Sequence, residues 1–361
     1  MTGHGRSSAT EQELYGVSGV PVLQNRTYGT AREACDSPVG DVRLVQDLRT
    51  GLVFNAAFDP ARLRYDGEYQ NEQAHSGVFR DHLEAVAATL EPHFRGKALV
   101  EVGCGKGYFL QLLRHRGYQV AGIDPAYEGD DPDIIKASFE RGLGLSAEGI
   151  VLRHTLEHIR QPVDFLADVL RANGDRGDIY IEVPCFDWIR SHRAWFDIFY
   201  EHVNYFRLDD FHRMFGTVRE CGHIFGGQYL YAIADLATLR APHAGADSRV
   251  TMPADFLARV EESARIAAEG RRNAVWGAAS KGVIFSIHLA RAGASLQLAI
   301  DINPAKQGRY LPVTALPVAA PEAAARSLDD GDNVFVMNSN YFDEIRMQSA
   351  NRYRYTRVDH E

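Results

Sequence analysis

The chain has 361 residues, 45% of them apolar and 24% charged, with 39 basic against 48 acidic side chains and a formal net charge of −9. That balance excludes a disordered or fibrous protein and predicts two or three globular domains, each able to bury its own core. No run of eighteen uncharged apolar residues occurs, the first fifteen residues lack the apolar core of a signal peptide, and no Lys/Arg block is interleaved with aromatics. The expectation is a cytoplasmic protein with neither a membrane nor a nucleic acid as partner.

Cys35, Cys104, Cys185 and Cys221 are scattered without a CxxC pair, which argues against a disulfide framework or a cysteine zinc site. Residues 1–12 read as a polar tail. The stretch to about 75 reads as a small β-rich subdomain with strand-like runs VRLVQDL and GLVFNAAF. It ends in a polar and aromatic segment, 65–75, with Tyr69 and His75, that faces a ligand or forms a solvated loop.

Val78, Phe79, Leu83, Val86 and Leu90 recur at helical spacing and predict a helix over 78–90. A βαβ alternation follows: strand 98–102, helix 108–116, strand 119–123, and strands at 149–152 and 178–183. Alternation of this kind predicts a parallel sheet covered by helices. Beyond a helical 211–215, the run 220–235 predicts a hairpin with Gly226-Gly227 at its turn, and 240–247 has the composition of a linker. A helix over 252–269 leads into a second α/β unit: strand 274–276, a turn at 277–282, a helix to about 292 and a strand at 296–300. The expected division is 1–75, 76–240 and 241–361.

The sharpest signal is Glu101-Val-Gly103-Cys-Gly105-Lys-Gly107 between a strand and a helix, with Asp124-Pro125 closing the next strand 21 positions after Gly103. Glycines let the backbone turn tightly and approach a ligand, and the distal carboxylate suits ribose hydroxyls. The G-x-G-x-G spacing departs from the dinucleotide G-x-G-x-x-G, and the acid at Glu101 repels phosphate but suits an ammonium or sulfonium. A nucleoside cofactor other than NAD is expected.

With Arg153-His154-Thr-Leu-Glu-His158 following the fourth strand, these residues resemble the class I S-adenosylmethionine-dependent methyltransferases. The resemblance implies a Rossmann-like seven-stranded methyltransferase domain with S-adenosylmethionine as cofactor. It assigns the methionine part to the loop of Gly103, Gly105 and Gly107, the ribose to Asp124, and a pocket wall to Arg153 and His154.

The loop beyond 184 carries Tyr200-Glu201-His202-Val-Asn204 off the carboxyl end of a strand, where open α/β sheets bind ligands. His202 is the candidate general base, with Glu201 beside it to raise its basicity if it reaches. Residue types alone are equally those of a packed loop. The run from Asp197 through Asn204, the Gly-Gly hairpin, and the C-terminal runs Trp276–Gly282, 301–312 and 340–345 are similar to the sugar-nucleotide C-methyltransferases. That likeness implies a second, smaller Rossmann-like C-terminal domain and a histidine base acting beside a keto group. By motif the base is His202, and His158 would face the same cavity. Tyr69, His75, Tyr200, Asn204, Lys281 and Tyr310 are the candidate substrate contacts, with Lys281 on a phosphate.

Two departures stand out: the paired zinc-binding cysteines with which that family opens are missing, and Tyr200 stands where the family often has another histidine. The alternatives are an O- or N-methyltransferase of another small molecule and a noncatalytic nucleotide-binding protein. His154 and His158, at i and i+4, lack the H-E-x-x-H pattern, so no metal is expected. Neither Cys104 nor Cys185 has a histidine partner in sequence, which argues against a thiol nucleophile.

Overall fold

The computed structural model describes residues 10–63, 69–70 and 72–359. The expected tail over residues 1–9 and the expected ligand-facing residues 65–68 and 71 lie outside the described residues. Three sheets organise the chain.

The first sheet is antiparallel. β1 (Glu11–Pro21) pairs with β2 (Val39–Asp47), and β2 with β3 (Val53–Asn55); a short helix, α1 (Ala31–Cys35), capped by Thr30, lies between the first two. β1 begins at Glu11, inside the stretch read as tail. Register shifts between Glu13 and Tyr15 and between Val17 and Val20 break the alternation that marks a strand in sequence.

The second sheet has seven strands. α2 (Gly77–Phe94) starts at a Ser76 cap and buries Phe79, Leu83, Val86 and Leu90. It leads into β4 (Ala98–Val102), α3 (Tyr108–His115), β5 (Gln119–Ile123) and β6 (Ile134–Ile135). β7 (Gly149–Arg153), α4 (Pro162–Ala172), β8 (Asp178–Pro184) and α5 (Phe186–Ser191) complete the parallel part. β9 (Asn204–Tyr205) leaves this sheet and pairs with β3 as the fourth strand of the first sheet.

After α6 (Leu208–Met214), the hairpin of β10 (Val218–Ile224) and β11 (Tyr229–Asp235) closes the seven strands, with β11 antiparallel to β8. The order is β10-β11-β8-β7-β4-β5-β6, so the chain turns back at β4 and opens a crevice at that strand's carboxyl end.

The third sheet is parallel throughout. α7 (Ala258–Ala267), shorter than the helix expected over 252–269, precedes β12 (Asn273–Trp276), α8 (Ser280–Arg291) and β13 (Leu298–Ile300). β14 (Val318–Ala319), α9 (Pro321–Ser327), β15 (Asn333–Val336), α10 (Phe342–Gln348) and β16 (Arg354–Arg357) follow. The order β14-β13-β12-β15-β16 places a second crevice at the end of β12. Between β12 and α8 the turn is tight: a Cβ on Gly282 would lie 1.9 Å from the Gly277 carbonyl oxygen.

The two α/β units face each other. The β10–β11 turn has positive φ at Phe225, Gly226 and Gly227, and Asn340 donates to the Phe225 carbonyl at 2.9 Å. Gln228 bonds Asn338 and accepts from Lys281, so the crevices of the second and third sheets open into one cleft. Among the described residues no helix is long and apolar enough to cross a membrane.

Candidate active site

The glycine turn after β4 is built on left-handed backbone: φ is 81° at Gly103, 56° at Gly105 and 78° at Gly107, which caps α3. A Cβ on Gly103 would meet Thr155 Oγ1 at 2.2 Å, whereas one on Gly105 would meet nothing within 4 Å. The first glycine thus packs the turn onto the segment after β7, and the second faces open space. Asp124 braces the loop: its Oδ2 accepts from Gly105 N and its Oδ1 from Ala126 N, each at 2.7 Å. Burial raises its carboxyl, and the two amides pull the other way. Pro125, beside it, is exposed.

Glu101 is 2% exposed, and its Oε2 has no hydrogen-bond partner among the described residues. Burial pushes it up to about 7, against the pull of Arg153 and with a push from Asp124 and Glu182. An orphaned buried acid beside an open glycine loop fits the cationic methionine end of S-adenosylmethionine.

Arg153 and His154 line this pocket, but their charges are spent on a neighbour that the sequence reading missed. Glu182, fully buried on β8, takes His82 Nε2 at 2.9 Å, His154 Nε2 at 3.1 Å, Tyr180 OH at 2.9 Å and Arg153 Nε at 3.3 Å. Burial alone would raise Glu182; Arg153, His154 and His82 hold it well below the usual carboxylate range. His154 sits at φ 48° with Nδ1 3.4 Å from Glu157. Burial opposes its charge, but the Glu157 and Glu182 carboxylates overcome that and lift it to about 9. His154 is therefore an imidazolium near neutral pH.

The larger cleft, about 1420 Å³ with its open mouth included, lies between the second and third sheets. His154, Glu157, His158 and His202 line one wall, and Ser280, Asp301, Asn303 and Lys306 line the other. His202 is 9% exposed, with its ring 3.9 Å from that of Phe199 and 5.0 Å from that of His158. Burial, reinforced by His158, His154 and Lys281, holds it well below the ordinary imidazole value. His202 is neutral at physiological pH.

The expected help from Glu201 is corrected. Its carboxylate turns away from His202, accepting from Gln24 N and from Tyr69 OH, each at 2.6 Å. Its backbone carbonyl instead takes His158 Nδ1 at 3.0 Å, which fixes the tautomer with the lone pair on Nε2.

Of the expected substrate contacts, Tyr69, His75 and Lys281 line the cleft, with His75 at its exposed rim. Three others are not among the residues that line the cleft. Tyr200 is buried and exchanges hydrogen bonds with the Asp59 backbone. Asn204 donates to the Leu156 and Ile159 carbonyls and so holds the turn that carries His158. Tyr310 pairs its backbone with Tyr28.

Lys281 is no unpaired phosphate lysine: its Nζ is 3.0 Å from Asp197 and 3.0 Å from Gln228 Oε1, over the Trp188 ring. The lysine that sequence reasoning passed over is Lys306, 3% exposed, with Nζ 3.1 Å from the Ala278 carbonyl and 3.4 Å from Asn25 Oδ1. Beside it, Asp301 accepts from Ala278 N and Asn303 N, each at 2.8 Å, in the same bracket that Asp124 makes around the first loop. Lys306 and Asp301 both stand in the quoted run 301–312, where an acid closing a strand was the available signal. Burial pushes the Cys104 thiol far up and that of Cys185 to about 11, which disfavours the thiolate form at both.

Residues 72–218 match the family described as methyltransferase domain, and residues 251–356 match the C-methyltransferase C-terminal domain. The chain thus carries a class I S-adenosylmethionine-dependent methyltransferase domain followed by a C-methyltransferase C-terminal domain. This methyltransferase is 26% identical to the C-methyltransferase NovU of Streptomyces niveus over 65% of each chain, so the match spans less than two thirds of that relative. Among solved structures, an S-adenosylmethionine dependent methyltransferase from Mesorhizobium loti aligns at 14% identity and TM-score 0.35, covering 44% of this chain and all of that one. The PH0226 protein of Pyrococcus horikoshii OT3 aligns at 11% identity and TM-score 0.38, covering 48% and 99%.

Proposed function

We propose that the methyltransferase moves the methyl group of S-adenosylmethionine onto a carbon beside the keto group of a sugar nucleotide, with His202 as the general base. The observation that carries the reading is the position of His202: a buried, neutral imidazole on the wall of the cleft that joins the two crevices. The likeness to NovU and to the C-methyltransferase C-terminal domain supports carbon as the acceptor. The division at 76–240 and 241–361 is part of the same proposal.

Glu101, the glycine loop and Asp124 hold the cofactor, which supplies an electrophilic methyl on sulfur. His202 removes the proton next to the keto group, and the C–H electron pair becomes an enolate. Bound at the glycine loop, the sulfonium would supply the methyl to the enolate carbon, the new C–C bond replacing the C–S bond as S-adenosylhomocysteine departs, while His202 keeps the proton. The positive field of His154 and Lys281 that weakens His202 as a base favours the negative enolate oxygen. The Asp301 bracket, Asn303, Lys306 and the start of α8 form the wall for the nucleotide part.

The test is solvent exchange. Incubated with a keto-sugar nucleotide and S-adenosylhomocysteine in D2O, the protein should load one deuterium next to the keto group, read by mass spectrometry. Methyl transfer without any such exchange, with the methyl found on oxygen or nitrogen, sinks the carbon-acceptor reading.

Glu101 sets a second expectation. Its carboxyl stands at about 7 before binding, and a neighbouring cation lowers that value, so binding releases a proton. S-Adenosylhomocysteine affinity should therefore fall as pH drops below about 7, by up to about tenfold per unit. Calorimetry in buffers of different ionisation heat reads the released proton, and Glu101→Gln should weaken binding and flatten the profile.

A further inference from the structure

Glu157 is 1% exposed, yet neither of its carboxylate oxygens has a hydrogen-bond partner among the described residues. Its Oε1 lies 3.4 Å from Nδ1 of the His154 imidazolium, which leaves Oε2 with no charged partner among the described residues. A buried anion left in this state calls for an ion or water beside it. Two imidazoles stand where such an ion would: ligand atoms of Glu157, His158 and His202 all lie within 4.8 Å of one another, on the wall of the cleft.

The second shell fits as well. Metal-bound histidines commonly give their other ring N–H to a backbone carbonyl, which fixes the tautomer and aims the ring. His158 Nδ1 does this with the Glu201 carbonyl at 3.0 Å. Two imidazoles and one carboxylate are a ligand set for zinc with a coordination position left open.

We propose that Glu157, His158 and His202 form a site for a divalent transition ion such as Zn²⁺, placed where it shuts off the base. The ion takes the lone pair of His202 that proton removal needs, so metal occupancy and methyl transfer exclude each other. This consequence rests on His202 being the base; the site itself does not. The set was hidden in sequence because only His154 and His158 have helical spacing, whereas His154 turns to Glu182 and Glu157 takes its place.

The test uses the full chain without an affinity tag, stripped by chelator and titrated with Co²⁺ and then Zn²⁺. One Co²⁺ per chain with low-symmetry ligand-field bands, displaced by Zn²⁺, is the expected result. Glu157→Gln and His202→Ala should each weaken uptake by more than about tenfold, while S-adenosylhomocysteine binding reports that each variant is folded. Equal uptake in wild type and both variants would overturn the site and point elsewhere, for example to Cys221 and His212, whose Sγ and Nε2 are 3.4 Å apart. Absence of uptake overturns it as well. A wild-type protein that binds metal yet shows no deuterium loading even when metal-free separates failure of the base reading from failure of the site.

Discussion

His202→Ala should lower kcat by about 10²- to 10⁴-fold, the usual contribution of a positioned general base, and leave S-adenosylhomocysteine affinity unchanged. His202 lies in the acceptor cleft and is not on the wall of the glycine-loop pocket, so cofactor binding has no reason to respond. The pH profile gives an independent check. The base must be unprotonated, and burial together with the charges of His158, His154 and Lys281 holds His202 well below 6.5. Activity should therefore persist as pH falls through the ordinary imidazole range, with its acid limb displaced downward. Neutralising part of that field by Lys281→Met should move the acid limb up. An unchanged kcat in the alanine variant would remove His202 from the mechanism.

Asp124→Ala should abolish measurable cofactor binding. One carboxylate would do two jobs: it accepts the Gly105 and Ala126 amides that shape the loop, and in the proposed reading it also binds the ribose. Hydrogen bonds to a charged group contribute about 1.5–3 kcal/mol each, so losing two to the ribose costs about 10²- to 10⁴-fold in Kd before any loosening of the loop is counted. Asp124→Asn keeps an acceptor for one amide and should fall between. The reading is calorimetric titration with S-adenosylhomocysteine, and wild-type affinity in Asp124→Ala would displace the ribose from this acid.

The central parallel strands were legible where a buried run stands between turn residues and a helix of 3.6-residue period, as at 98–102 and 119–123, whereas β6, β14, β15 and β16 went unread. Of the antiparallel first sheet, β2 and β3 were legible in the runs VRLVQDL and GLVFNAAF, whereas β1 and β9 were not. β1 carries two irregularities that scramble its two-residue alternation, and β9 joins from about 150 residues downstream, a pairing no local pattern announces. The site shows the same limit. Glu101, the glycines and Asp124 are fixed relative to one another by a strand–turn–helix unit, so their spacing is informative. Glu201 and His202 are neighbours in a non-helical segment and point to different partners, so adjacency in sequence misled. Glu182 and His82 meet across 100 positions; an acid within a buried strand and a histidine on an apolar helix face were the only traces of them.

The strand β9 begins two residues after His202, and Glu201 grips the Gln24 amide and the Tyr69 hydroxyl. The segment bearing His202 is thus woven into the antiparallel sheet as well as anchored to the methyltransferase fold. The opening residues are then no detachable module. Trimming them would strip the His202 segment of its lattice of hydrogen bonds, and a different opening would have to rebuild an edge for Asn204 and Tyr205.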